Sequence, residues 1–380
     1  MKLLNAELIQ LRSLFLQNKF DLRFVGGCVR DSLVELEPHD IDLCTDANPD
    51  EQELIFTNNN IRFIPTGKSH GTFTVILNDQ TYEITSLRRD VSTDGRRATV
   101  AFTRDWIEDL ARRDFTINAM QMTFEGELID PFNGRRDLAD KTVRFVGDAS
   151  QRIQEDYLRI LRWFRFAARF DSLDWLKDIS VNESLMAIIH YKHGLQRISR
   201  ERVWQEMHKI FAGPRVYEIL QLMYRTSVLD AIDHYDNEWE FHFPHLLQCE
   251  ERTQNPITRL VALYGQNAVD RLSLLNCSKS EIQFAQHLYN MYMEDKGPRY
   301  YLAVKKMPLH TVIEYCHLTG RFDNFDIEMI KSWEVPSWPV SGIDAIAYGI
   351  PEGPQIKKWL DVVLEKWAKS NYELTRNELL

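Results

Sequence analysis

Two aspartates one residue apart, Asp40 and Asp42 in the run DIDLCT, are the first residues that could do chemistry. Side chains alternate along a strand, so this spacing predicts both carboxylates on one face, with Ile41 and Leu43 turned to a core. Neighbouring carboxylates repel unless a cation sits between them. A divalent metal suits that place, and Mg2+ prefers a few carboxylates together with phosphate oxygens. Upstream, Gly26 and Gly27 end the run RFVGG before a helical stretch, where bare backbone N–H groups can approach a triphosphate. Alone, a DxD is a polar strand end and a glycine pair is a turn; their order and close spacing argue for a shared purpose. Glu83, in TYEITSL, either completes a carboxylate triad or is a solvent-facing strand residue. Two metals held by such a triad would suit in-line attack of a hydroxyl on an α-phosphate, with pyrophosphate leaving.

A second constellation lies more than a hundred residues on, in EDYLR. Asp156 and Arg159 stand at i and i+3, which predicts one helix face for both. A carboxylate accepts from an exocyclic amino group, and a guanidinium donates to a ring nitrogen or carbonyl. Cytosine and adenine both carry an amino group beside a ring-nitrogen acceptor; guanine and uracil present the opposite pattern there. One Asp–Arg pair can therefore select C and A with no nucleic-acid template, although an isolated EDxxR would read as a surface ion pair. Arg162, Arg165 and Arg169 are either a phosphate-contacting ridge or a solvated face. Trp163, Phe164 and Phe166 fit a core better than stacking platforms, and His70 fits a structural histidine.

The elements that must position these groups change character along the chain. Up to about residue 145, strand-like runs (RFVGG, DIDLCT, GTFTVIL, TYEITSL, LIDPF) alternate with helical stretches, and GTFTVILNDQTYEITSL reads as a hairpin closed at Asn78-Asp79-Gln80. From about Asp148 onward the period is helical, as in EDYLRILRWFRFAARF and RERVWQEMHKIFAG, with a stop at Gly213-Pro214. Four prolines, Pro336, Pro339, Pro351 and Pro354, precede a last helix over roughly 355–369. The expected fold class is α+β: a mixed sheet with helices, followed by an all-α remainder.

The 380 residues suffice for two or three domains, and no apolar run is long enough for a membrane span. The N-terminal stretch has helical spacing and lacks the apolar block of a signal peptide, so a cytoplasmic address is expected. Five scattered cysteines with no CxxC argue against a disulfide framework and a zinc site. The net charge of −10 counts against a nucleic-acid partner as an average, yet residues 152–169 hold five arginines and two acids, a balance of +3.

The motifs GGCVRD, DIDLCT, ARRDFTINAM, DPFNGRRDL, RIQEDYLRILRWFRFAARF and RISRERVWQEM occur in the order and spacing of the class II tRNA nucleotidyltransferases, and the chain resembles that family over residues 24–210. The family has a polymerase-β-like head and includes the bacterial poly(A) polymerases. The resemblance implies Asp40 and Asp42 as metal ligands, Glu83 as a third catalytic carboxylate, and Mg2+ as cofactor. It implies a nucleotide-binding set of Gly26, Gly27, Arg30, Arg112, Arg113, Asp114, Asn118, Glu155, Asp156, Arg159 and Arg162, with Glu155 orienting Arg159. Asp130-Pro131-Phe132-Asn133-Gly134 resembles the hinge between head and neck, and the segment 197–202 resembles a motif that braces the neck. The implied domains are a catalytic head (1–145), a helical neck (146–212), a helical body (213–332) and a tRNA-binding tail (333–380). The implied partners are the acceptor arm of tRNA and the substrates CTP and ATP, with no membrane; the sequence leaves the oligomeric state open.

Between the hairpin and ARRDFTINAM, the stretch RRDVSTDGRRATVAFTRDW reads as a mobile loop. Its retention, with Asp94-Gly95-Arg96-Arg97, resembles enzymes that add the whole of CCA; A-only enzymes keep it too, and CC-only enzymes shorten it. The short C-terminal region disfavours a poly(A) polymerase. A catalytically inactive RNA-binding relative would have no use for Asp40, Asp42 and EDYLR, and a small-molecule nucleotidyltransferase would have little use for the long helical body.

Overall fold

Alternation in the first third of the chain becomes a seven-stranded mixed sheet in a computed structural model, which describes residues 4–38, 40–78, 80–93, 98–177, 179–233 and 242–380. The strands are β1 (Leu22–Val25), β2 (Asp42–Thr45), β3 (Arg62–Gly67), β4 (Thr72–Leu77), β5 (Gln80–Ser86), β6 (Arg88–Thr93), β7 (Ala98–Phe102), β8 (Gln121–Met122) and β9 (Leu128–Ile129). The sheet runs β3-β4-β5-β2-β1-β8-β9, and β6 and β7 form a separate two-stranded ribbon. The helices beside the sheet are α1 (Ala6–Gln17), α2 (Gly27–Leu33), α3 (Pro49–Asn58), α4 (Trp106–Ala111) and α5 (Gly134–Ala139). Helical structure follows from α6 (Ala149–Glu155) and α7 (Arg159–Phe170) through α8 (Glu183–Tyr191), α9 (Arg200–Ala212), α10 (Val216–Arg225) and α11 (Val228–Asp233). The chain divides into two compact units, Met1–Asp236 and Asn237–Leu380, and among the described residues of the second the regular elements are helices.

Strand alternation sorts the sheet into two faces. Leu22 and Phe24 of β1, Leu43 of β2, Phe73 and Val75 of β4, and Tyr82 and Ile84 of β5 are buried against Leu8, Leu11 and Phe15 of α1, Val29 of α2 and Phe56 of α3. Each such side chain contributes about 1.5–3 kcal/mol by leaving water. On the other face Val25 and Cys44 meet Leu87, Leu110, Ala119 and Val146. Asp42 flanks Leu43 on one side as Cys44 does on the other, and Glu83 lies between Tyr82 and Ile84. Both carboxylates therefore belong to the face that α1–α3 leave uncovered.

Four expectations change. β2 begins at Asp42, and Asp40 lies in an exposed bend before it, so the two aspartates do not share a strand. The stretch after the hairpin is not a loop along its length: β6 and β7 pair antiparallel from Arg88↔Phe102 to Thr93↔Ala98, and its tip, Asp94–Arg97, lies outside the described residues. The β4–β5 turn is tighter than Asn78-Asp79-Gln80, because Gln80 already pairs with Leu77; Asn78 takes φ of 46°, and Asp79 lies outside the described residues. The helix expected through EDYLRILRWFRFAARF breaks at Asp156, which is extended (φ −153°, ψ 105°) between α6 and α7.

Candidate active site

The first turn of the site is made where β1 ends. Gly26 takes φ of 72°, a conformation that L side chains rarely adopt, and its N–H donates to the Met120 carbonyl at 3.1 Å. A Cβ on Gly26 would stand 3.0 Å from Nη1 of Arg113, so the bare backbone lets a guanidinium close over the turn. Arg30, one turn into α2, is buried; its Nη1 donates to Asn118 Oδ1 at 2.6 Å and its Nε to Asp31 Oδ1 at 2.8 Å. Its guanidinium also lies 4.4 Å from the Phe170 ring centre.

Asp42 and Glu83 are direct partners in the parallel β2–β5 ladder, which puts them side by side about 4.8 Å apart along the sheet. Burial pushes the Asp42 carboxyl up, and the negative charges of Glu83 and Asp40 push the same way, while Arg113 pulls it down. Like charges crowded onto a half-buried aspartate are what a bound cation relieves. Among the described residues no three His, Cys, Asp or Glu side chains could hold a metal unaided. Mg2+ does not require that, because one or two carboxylates with substrate phosphates satisfy it, and the all-oxygen donors Asp40, Asp42 and Glu83 suit a hard cation.

The next layer comes from α4 and the turn after it. Asp109, 1% exposed, accepts from Arg112 Nε at 2.9 Å and from Arg113 Nη2 at 3.1 Å. Burial alone would raise its carboxyl, but the Arg113 and Arg112 guanidiniums outweigh burial and hold it below the usual carboxylate range. Asp114 accepts from the Phe115 N–H at 2.9 Å, Asn118 Nδ2 at 3.1 Å and Arg162 Nε at 2.7 Å. It too is held low: burial raises it, and Arg162 and Asn118 more than compensate.

Asp156 and Arg159 reach the cleft from the break between α6 and α7, not from one helix face. Asp156 accepts from the Leu158 N–H at 3.1 Å and from Arg202 Nη2, on α9, at 2.9 Å. Arg159 donates to Glu155 Oε2 at 2.6 Å, to the Arg152 carbonyl at 3.0 Å and to the Arg112 carbonyl at 3.2 Å. Asp156 and Arg159 thus have separate anchors, which leaves both able to face a third molecule. Arg162 is bound to Asp114, Arg165 to Glu206 at 2.9 Å, and Arg169 stands 3.9 Å from Asp31, so each has an acid beside it. Trp163 and Phe164 are fully buried, whereas Phe166 reaches the cleft wall.

These groups line one cleft of about 530 Å³: Gly26, Gly27, Arg30, Asp42, Arg112, Arg113, Asp114, Asn118, Asp156, Arg159 and Arg162, joined by Arg88, Leu158, Phe166 and Arg202. Asp40, Glu83 and Glu155 are outside the lining; Asp40 and Glu83 act on Asp42 by charge, and Glu155 holds Arg159. Sequence reasoning did not single out Asp109, Arg88 or Asp31. Asp109 stands at i−3 and i−4 from Arg112 and Arg113, a helical ion-pair spacing that carries the signal.

A mixed sheet with paired carboxylates at its uncovered face, opening on an arginine-walled cleft, defines a polymerase-β-like nucleotidyltransferase head. Residues 22–144 match the Poly A polymerase head domain, and residues 182–233 match the family described as the probable RNA and SrmB-binding site of polymerase A. The chain is 38% identical over 384 residues to the mouse mitochondrial CCA tRNA nucleotidyltransferase 1, covering 97% of this chain and 88% of that one. Identity to the human protein of the same name is 37% over the same coverage. The crystal structure of the Bacillus stearothermophilus CCA-adding enzyme in complex with CTP superposes with a TM-score of 0.76 at 26% identity, over 96% of this chain and 93% of that one. The chain belongs to the CCA-adding tRNA nucleotidyltransferase family.

Proposed function

We propose that this protein adds C, C and A in turn to the 3′ end of tRNA, from CTP and ATP and without a nucleic-acid template. The observation that carries the reading is one cleft with a carboxylate end, at Asp42, and a base-selecting end, at Asp156 and Arg159. At the carboxylate end, Asp40 and Asp42, with Glu83 beside them, would hold Mg2+. Bound there, the ion would acidify the tRNA 3′-hydroxyl and neutralise phosphate charge. The 3′-hydroxyl loses its proton to solvent, its oxygen bonds to the α-phosphorus as the bond from that phosphorus to the bridging β-phosphate oxygen breaks, and pyrophosphate departs. Arg112 and Arg113 supply positive charge toward the triphosphate, and the Gly26-Gly27 backbone gives it room.

At the other end, Asp156 accepts from the amino group of cytosine or adenine, and Arg159 donates to the adjacent ring acceptor. Glu155 supports this role by fixing the Arg159 guanidinium, and Arg202 by holding the Asp156 carboxylate in place. Guanine and uracil would set donor against donor and acceptor against acceptor, leaving buried polar groups unpaired. Residues 1–145 serve as catalytic head, 146–212 as neck, 213–332 as body and 333–380 as the tail that takes the acceptor arm. We place the protein in the cytoplasm, although its mouse and human relatives are mitochondrial by name; no described helix is long and apolar enough to cross a membrane. The test is incubation with tRNA lacking CCA and labelled CTP or ATP. Three added residues support the proposal; two C's, a single A or a long poly(A) ladder refute it.

A further inference from the structure

We propose that Asp109 is a positioning residue that sets both ends of the nucleotide cleft through Arg112 and Arg113; the inference rests on the nucleotidyl-transfer reading above. Asp109 touches no part of the cleft space itself, since its carboxylate points from α4 into the interior. An unpaired carboxylate in such a place is strongly destabilising. Three residues meet on it instead. Oδ1 accepts from Arg112 Nε at 2.9 Å, from Arg112 Nη2 at 2.8 Å and from the Arg88 N–H, at the foot of the β6–β7 ribbon, at 3.3 Å. Oδ2 accepts from Arg113 Nη2 at 3.1 Å.

Each arginine carries the constraint in a different direction. Arg113 keeps Nη1 for the Gly26 turn, where a Cβ would stand 3.0 Å away. That is the triphosphate end. Arg112 offers its backbone carbonyl to Arg159 Nη2 at 3.2 Å, so the last turn of α4 also sets the guanidinium at the base-selecting end. The two oxygens of one carboxylate are divided between the two ends of the site. A shift of about 1 Å at either end is enough to damage transfer. A purely structural buried acid would need partners, but not partners that both line the cleft.

The experiment uses the full chain, tRNA lacking CCA, and the variant Asp109→Asn, which keeps the shape and removes the charge. The readouts are CTP affinity by calorimetry, KM and kcat for CTP and ATP, UTP misincorporation, and the melting temperature. The expected result is about a tenfold rise in the KM and Kd for CTP, together with raised UTP misincorporation, at a temperature where the variant is folded. Wild-type KM and base choice in a folded D109N, even one with a lowered melting temperature, overturn the inference. Should D109N fail to fold, D109E decides: displacing both arginines by one methylene raises the CTP KM about threefold or more, and an unchanged KM overturns the inference. Wild-type chain that extends tRNA while D109N matches it defeats this inference alone. Wild-type chain that neither binds CTP nor extends tRNA defeats the reading beneath it as well.

Discussion

Replacing Asp114 by alanine should destabilise the first unit and do so in a pH-dependent way. The side chain is 8% exposed and receives two neutral donors, from Phe115 and Asn118, and a two-pronged contact from Arg162. Removing one partner of a buried ion pair costs about 3–5 kcal/mol when the remaining charge stays buried. The Arg162 side chain keeps 34% exposure, so water shields it and about 2 kcal/mol is the better figure. The orphaned Phe115 N–H and Asn118 amide add about 1 kcal/mol each. The sum, about 4 kcal/mol, lowers the melting temperature by about 8–16 °C at the usual 2–4 °C per kcal/mol for a unit of this size. The folded carboxyl is held below its ordinary value, so its contribution is present above the unfolded pKa of about 3.9 and lost as pH falls through the folded value. Denaturation of both proteins, followed by circular dichroism at several pH values, should show a constant gap from neutral pH to about pH 5 and a closing gap below about pH 4. A gap under about 1 kcal/mol at neutral pH, against the usual cost of breaking a buried pair, or one that widens with acid, would refute the reasoning.

Other perturbations separate the two ends of the cleft. Asp42→Ala should abolish nucleotide addition, by at least about a thousandfold, while leaving tRNA binding mostly intact; ordinary turnover in a primer-extension assay would sink the metal-site assignment. Asp156→Ala should loosen base choice more than it slows transfer, and an unchanged ratio of CTP and ATP to UTP and GTP incorporation would contradict the selecting role. Gly194→Ala would place a Cβ 1.9 Å from the Tyr157 ring, beside Asp156. The displaced turn should raise misincorporation by about threefold or more, and a crystal structure of the variant with Tyr157 unmoved would contradict that account.

Much of this was legible in the residues, and the gaps have physical causes. β1, β4 and β5 announce themselves because one face of each is buried against α1–α3, which forces apolar alternation. β3 is mostly exposed and contains Pro65, and β8 is two residues long, so neither carries a periodic signal, whereas the equally short β9 falls within the strand-like run LIDPF. The break at Asp156 hides because apolar spacing continues across it, while the Asp156 carboxylate is taken by the local Leu158 N–H and, across the fold, by Arg202. The ribbon looked like a loop because the charged and glycine-containing run RRDVSTDGRR dominates the stretch and outweighs the short run ATVAF of β7. Gly26, Asp42, Arg112, Arg113 and Asp114 were found by motif, whereas Asp109 hid as one more acid in the run WIEDLA. Burial decides its role, and a sequence does not display burial directly.

The parallel pairing of β2 with β5 has a consequence for the order in which function appears as the chain is made. Asp42 and Glu83 become neighbours only after α3, β3 and β4 have been laid down and the chain has doubled back beside its own earlier strand. Other groups of the cleft arrive later still, Asp114 from the turn after α4, Arg159 from α7 and Arg202 from α9. Such long-range closures bear their entropic cost before any contact rewards them, so they form late. A nascent chain long enough to display both aspartates already carries Gly26, Gly27 and Arg30, but none of the later groups that complete the cleft. The ring of side chains around the cleft closes only when Arg202 has emerged from the ribosome.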